Sequence, residues 1–94
     1  MHISEIARQH FAWVESVGWH RDKRPLEYLG LLFSEAGEAV NECRGEKPTE
    51  GLGEELADFI LRAFDMALVY NIDIEKAIMD KMEKLRLEGI KEGD

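Results

Sequence analysis

Two prolines, Pro25 and Pro48, are the only ones in the chain, and each stands at the head of a long segment whose apolar residues recur with the helical period. Proline fixes φ and lacks an N–H, so it is tolerated in the first turn of a helix and breaks a helix interior. Its absence elsewhere leaves helices free to run. No segment alternates with period two, and there are no internal repeats or low-complexity tracts. The chain is therefore expected to be all-α, as an antiparallel four-helix bundle.

The spacing predicts a first helix after Ser4, a candidate N-cap, running to about Val17 with Ile3, Ala7, Phe11 and Val14 on one side and Gly18 as its stop. A second runs from Pro25 to about Arg44, with Gly45 placed for the left-handed residue that ends many helices. Leu26, Leu29, Leu32, Phe33, Ala36, Val40 and Cys43 form its apolar stripe. The third opens near Thr49 and reaches about Tyr70. It has two apolar sides, one with Leu52, Leu56, Phe59, Ile60, Ala63 and Ala67, the other with Leu61, Phe64 and Leu68. Between them lies a narrow polar strip of Glu55, Asp58, Arg62 and Asp65. Asp73 is the expected cap of a fourth helix, closed by Gly89 and followed by a frayed tail. A third helix apolar on two sides predicts a homodimer or homotetramer.

At 94 residues the chain is read as a single domain spanning positions 1–94, able to bury roughly two-thirds of the surface it exposes when unfolded. Twenty acidic against twelve basic residues give a formal charge of −8, which repels the phosphate backbone of nucleic acids. No apolar run is long enough to cross a bilayer and no secretory signal is visible at "MHISEIARQH". One cysteine, Cys43, cannot form an internal disulfide and reads as a small buried hydrophobe. A cytoplasmic protein, binding neither membrane nor nucleic acid, is the expectation.

Within the apolar helices sit two acidic pairs, Glu35/Glu38 in "SEAGEAV" and Glu55/Asp58 in "GEELADFIL". Side chains three apart on a helix are neighbours, so like charges there repel, and partial burial worsens the cost. Glu35, Glu38 and Glu42 fall within an arc of about 60° on the second helix. Four carboxylates from two antiparallel helices converge on one point if something positive sits between them. Oxygen donors without His or Cys favour Mg²⁺ or Mn²⁺ over zinc. Di-iron chemistry wants Glu-x-x-His pairs, and His2, His10 and His20 lie outside such spacing. Chance alone supplies about four acidic i,i+3 pairs in a chain this acidic, so the residues themselves leave a metal site and a solvated acidic face both open.

The segments "EAGE" at 35–38 and "EELAD" at 54–58 resemble the E-x-x-E…E-x-x-D signature of the MazG-like all-α nucleoside triphosphate pyrophosphohydrolases. "GWHRDKRPLEYLGLLFSEAGE" is similar, without gaps, to that family's stretch from a tryptophan to its first acidic pair, and "IDIEKAIMDKMEKL" to its closing helix. The resemblance implies Mg²⁺-dependent hydrolysis of (deoxy)nucleoside triphosphates to monophosphate and pyrophosphate, by homodimers or tetramers. It implies Glu35, Glu38, Glu55 and Asp58 as metal ligands, one of these carboxylates as base, and Trp19 and His10 near the nucleotide base as in dCTP pyrophosphatase-like members. Lys81 and Lys84 occupy basic positions of the last helix that meet phosphates.

Three positions depart from those relatives: Gly45 replaces a tryptophan, Arg62 a tyrosine and Leu85 an asparagine. All three concern base or sugar recognition, so the metal chemistry carries over more securely than a substrate preference. Arg62 has Asp58, Asp65 or a phosphate as candidate partners. Two rival functions remain: a non-catalytic acidic helical module that binds a partner, and hydrolysis of phosphoribosyl-ATP on a similar fold.

Overall fold

A computed structural model describes residues 2–18 and 23–91. They form four helices and no strand: α1 (Ile3–Ser16), α2 (Pro25–Asn41), α3 (Leu52–Val69) and α4 (Ile74–Lys91). The all-α expectation holds, while several helix ends differ from those read in the sequence.

α1 starts one residue before Ser4. His2 is its N-cap, and the His2 carbonyl accepts from the Glu5 and Ile6 N–H groups. Ser4 thus lies inside the first turn, where its free N–H donates to Glu75 Oε1 at 3.2 Å, so a carboxylate from α4 caps α1 from outside. Gly18 ends α1 as expected, at φ 76°. Pro25 opens α2, and the Arg24 N–H donates to Glu27 Oε1 at 3.2 Å. Arginine has no side-chain acceptor, so only this half of a capping box forms.

α2 stops at Asn41 rather than Arg44, and Gly45 does not adopt the left-handed conformation. Asn41 Oδ1 instead accepts from Arg44 Nη2 at 2.9 Å, while the Thr49 N–H returns to the Glu42 carbonyl at 2.8 Å and closes the loop. Thr49 is not the cap of α3. Its Oγ1 accepts from the Gly51 N–H in a turn just ahead, and Gly51 is the N-cap.

The left-handed residue the sequence placed at Gly45 occurs at Asn71, φ 57°. There the Ile72 N–H reaches the Ala67 carbonyl and the Asn71 N–H reaches Leu68, the pair of bonds that defines a Schellman end. Asp73 does cap α4, its Oδ1 accepting from the Lys76 N–H at 3.0 Å. Gly89 does not close α4, which continues through Lys91; a single glycine inside a helix costs about 1 kcal/mol and does not suffice to break it.

α3 is the central element. α2 packs along it as an antiparallel partner, with Tyr28 near the start of α2 meeting Tyr70 at the end of α3 edge-on at 5.9 Å. α1 lies on another side of α3, and α4 touches only α1 and α3, sparingly. Ala7, Val14, Tyr28, Phe64 and Ala67 are the buried apolar residues. Much of the expected α2 stripe is open: Leu26 and Phe33 are 78% and 79% exposed. Cys43 is exposed too, not buried, because α2 has ended before it and the turn carries it outward. None of the described helices is long and apolar enough to cross a membrane.

Candidate metal and nucleotide site

Where α2 and α3 run side by side, Glu35 meets the Glu55/Asp58 pair. One carboxylate oxygen from each of these three residues lies within 4.8 Å of the others. Glu35 and Glu55 are partly buried and Asp58 is exposed, so the cluster opens on one side. The antiparallel hairpin places the middle of α2 against the first two turns of α3, and the i,i+3 spacing sets Glu55 and Asp58 on one face. Glu38, one turn after Glu35, is exposed and lies outside the three-oxygen group.

The electrostatics record the crowding. The Glu55 carboxyl is raised above its usual range, first by partial burial and then by the charges of Glu38, Asp58, Glu35 and Glu42. Glu38 and Glu42 therefore belong to the same negative field although they stand further out. Glu42 also leans over the loop so closely that a Cβ at Gly51 would collide with its carboxylate.

Two cationic or switchable groups border the cluster. Arg62 Nε lies 3.6 Å from Glu35 Oε1, pairing across helices. The sequence had suggested its neighbours on α3, and only the packing of α2 brings Glu35 within reach. His10, from α1, joins Glu35, Asp58, Leu61 and Arg62 in lining a cavity of about 210 Å³. Asp65, on the polar strip expected to lie in a crevice between two packed sides, is 1% exposed, with its Oδ2 3.4 Å from His10 Nε2. It falls inward because α1 covers that part of α3.

Lys81 and Lys84 are exposed on α4 and do not line this cavity, and Leu85 is likewise exposed. Trp19 lies outside the described residues. Glu42 and Asp65 were visible in the sequence as acidic residues at helical spacing from the pairs, but nothing in the spacing distinguished the one that borders the cluster from the one that is buried.

Three carboxylate oxygens with no nitrogen or sulfur donor among them form a hard set. Gathered within 4.8 Å of one another, Glu35, Glu55 and Asp58 are the residues that would hold a hard divalent cation such as Mg²⁺. The all-oxygen donor chemistry and the exposure of the cluster on the Asp58 side both fit a hard divalent cation, which would supply positive charge there.

Residues 23–87 match the family model for the MazG nucleotide pyrophosphohydrolase domain. A protein of Cyanophage S-2L named dATP/dGTP diphosphohydrolase is 28% identical over 80 residues, covering 85% of this chain and 70% of its own length. No solved structure matches the chain. The matched family segment contains α2, α3 and the acidic cluster between them. The chain belongs to the MazG nucleotide pyrophosphohydrolase family, and it is an enzyme of that class.

Proposed function

We propose that the chain hydrolyses (deoxy)nucleoside triphosphates to the monophosphate and pyrophosphate, with Mg²⁺ held by Glu35, Glu55 and Asp58 and with Glu38 beside them. The observation that carries this reading is the convergence of three carboxylate oxygens within 4.8 Å on the face where α2 meets α3. Isolated, such a group is held together against its own repulsion; a divalent cation converts that cost into binding energy.

When bound, the ion supplies positive charge that neutralises the triphosphate and the departing pyrophosphate. The protein's residues do the rest. A carboxylate of the cluster orients a water toward the α-phosphorus and takes its proton as the new P–O bond forms and the bond to the pyrophosphate oxygen breaks. Arg62, at 3.6 Å from Glu35, is placed to exchange that pairing for a phosphate oxygen. His10 borders the same cavity, and on this reading it meets the nucleoside. The relative named for dATP and dGTP puts purine deoxynucleotides first among substrates to try. Lys81 and Lys84 serve phosphate only if a second copy of the chain brings α4 to the site. Assembly through the open apolar face of α2 and α3 is part of this proposal, as is action in a reducing cytoplasm.

The test is pyrophosphate release from a panel of canonical and modified (d)NTPs, dATP and dGTP included, with Mg²⁺ present or chelated. Turnover should require the metal. Glu35→Gln should lower kcat/KM by at least about a hundredfold while the metal-free protein melts no lower than the parent. If no nucleotide is cleaved and Mg²⁺ leaves the melting temperature unchanged, the proposal fails.

A further inference from the structure

The proposed chemistry uses the carboxylates where α2 meets α3 and makes no use of Asp65, the one acidic side chain among the described residues that the fold buries. Burying a carboxylate is costly unless a partner compensates it, so its location calls for a reason. α1 supplies part of one. Ala7 and Val14, both fully buried, lie three residues before and four after His10, which puts the imidazole on the face of α1 that packs against α3. There its Nε2 stands 3.4 Å from Asp65 Oδ2. His10 also lines the cavity with Glu35, Asp58, Leu61 and Arg62. On α3, Asp58, Arg62 and Asp65 follow one another at four and then three residues, a single row that leads from the carboxylate cluster into the core.

We propose that Asp65 is a positioning residue for His10: it holds the Nε2 edge of the imidazole and leaves Nδ1 as the nitrogen that meets the nucleoside part of a substrate in the cavity. This rests on the pyrophosphohydrolase reading of the cavity. On this assignment Asp65 acts as an ionised carboxylate, which can only accept, and the ring nitrogen facing it would carry the proton whether the imidazole is neutral or charged. In the neutral ring Nδ1 is then an acceptor, suited to a sugar hydroxyl or a base amino group. The tilted ring of Trp13 stands beside the imidazole on the same helix, with ring centroids 6.2 Å apart. His10 comes from α1, outside the family-matched segment 23–87, so this contact joins α1 to the pair of helices that carries the acidic cluster.

Steady-state kinetics of the full chain, Asp65→Asn, His10→Ala and the double variant test the assignment. Asparagine keeps the shape but accommodates either imidazole tautomer. Asp65→Asn should raise KM about tenfold with kcat changed much less, and the double variant should match His10→Ala alone, because the two residues act as one unit. Additive losses, or an unchanged KM with a lowered melting temperature, overturn it. A second measurement needs no variant. The ¹⁵N spectrum of the unaltered chain, taken where the imidazole is neutral, should show the His10 proton on Nε2, and deoxyadenosine monophosphate should shift Nδ1. A proton on Nδ1, or no response to the nucleotide, sinks the proposal. If the parent cleaves no triphosphate, the hydrolase reading falls by itself, while the tautomer still decides the role of Asp65.

Discussion

The two sides of α3 carry similar apolar periodicity and end in opposite states. Toward α1, where Ala7 and Val14 are fully buried, the contact is closed, enough to hold the Asp65 carboxylate at 1% exposure beside His10. Along α2 the small residues Ala36 and Ala39 allow close approach, but the large side chains Leu26, Phe33, Val40, Leu56 and Ile60 are left to solvent, with apolar grooves between them. The difference teaches that an apolar stripe states a need for burial without naming the surface that meets it. One side is satisfied within the chain. The other is left open within the chain, and it is the face through which assembly is proposed.

Substitutions on the two sides should separate them sharply. Phe64→Ala removes a ring from the closed side and should cost about 3–5 kcal/mol in urea unfolding, enough to leave so small a chain largely unfolded. Phe33→Ser removes a ring from the open side. It should change the stability of a single chain by less than about 0.5 kcal/mol yet shift the sedimentation velocity distribution toward smaller species. Equal effects of the two on unfolding would erase the contrast.

A weaker effect lies between the two sides, at the carboxylates. Glu55 binds its proton more tightly in the folded chain than an ordinary glutamate does, so its stabilising contribution is present below its usual value of 4.5 and is lost as pH rises through the raised one. The metal-free protein should therefore lose this contribution as pH rises above 4.5 and through the raised value of Glu55. Glu55→Gln should flatten that decline, and Mg²⁺ should reverse it, in thermal melts across the range. The smallest effect belongs to the far surface of α4. Lys76 and Asp80 pair at 2.7 Å but remain 71% and 65% exposed, so Lys76→Ala should leave the melting temperature essentially unchanged.

Much of the site was legible before the fold. Glu35, Glu55 and Asp58 stood out because acidic pairs recur in the most apolar helices, and a helix fixes which side chains share a face. Glu38 shows the limit: its place on the helix was readable, but side-chain reach across to α3 was not, and it stands outside the three-oxygen group. Helix ends were read less well. Asp73 caps as expected because its role is local, whereas Ser4 does not, because its N–H is satisfied by Glu75, 71 residues away.

What the sequence determined by itself was the set of local choices: proline at the head of α2, glycine at 18 to stop α1, helical periodicity throughout, and carboxylates in register on single faces. What only the tertiary structure decided was which faces meet. Asp65 and Asp58 sit two turns apart on one row of α3, yet one is buried beside His10 and the other opens to solvent, because α1 covers the first and leaves the second. Backbone geometry sets the direction of a side chain from nearby residues alone; its surroundings come from distant segments, and no period along the chain encodes them.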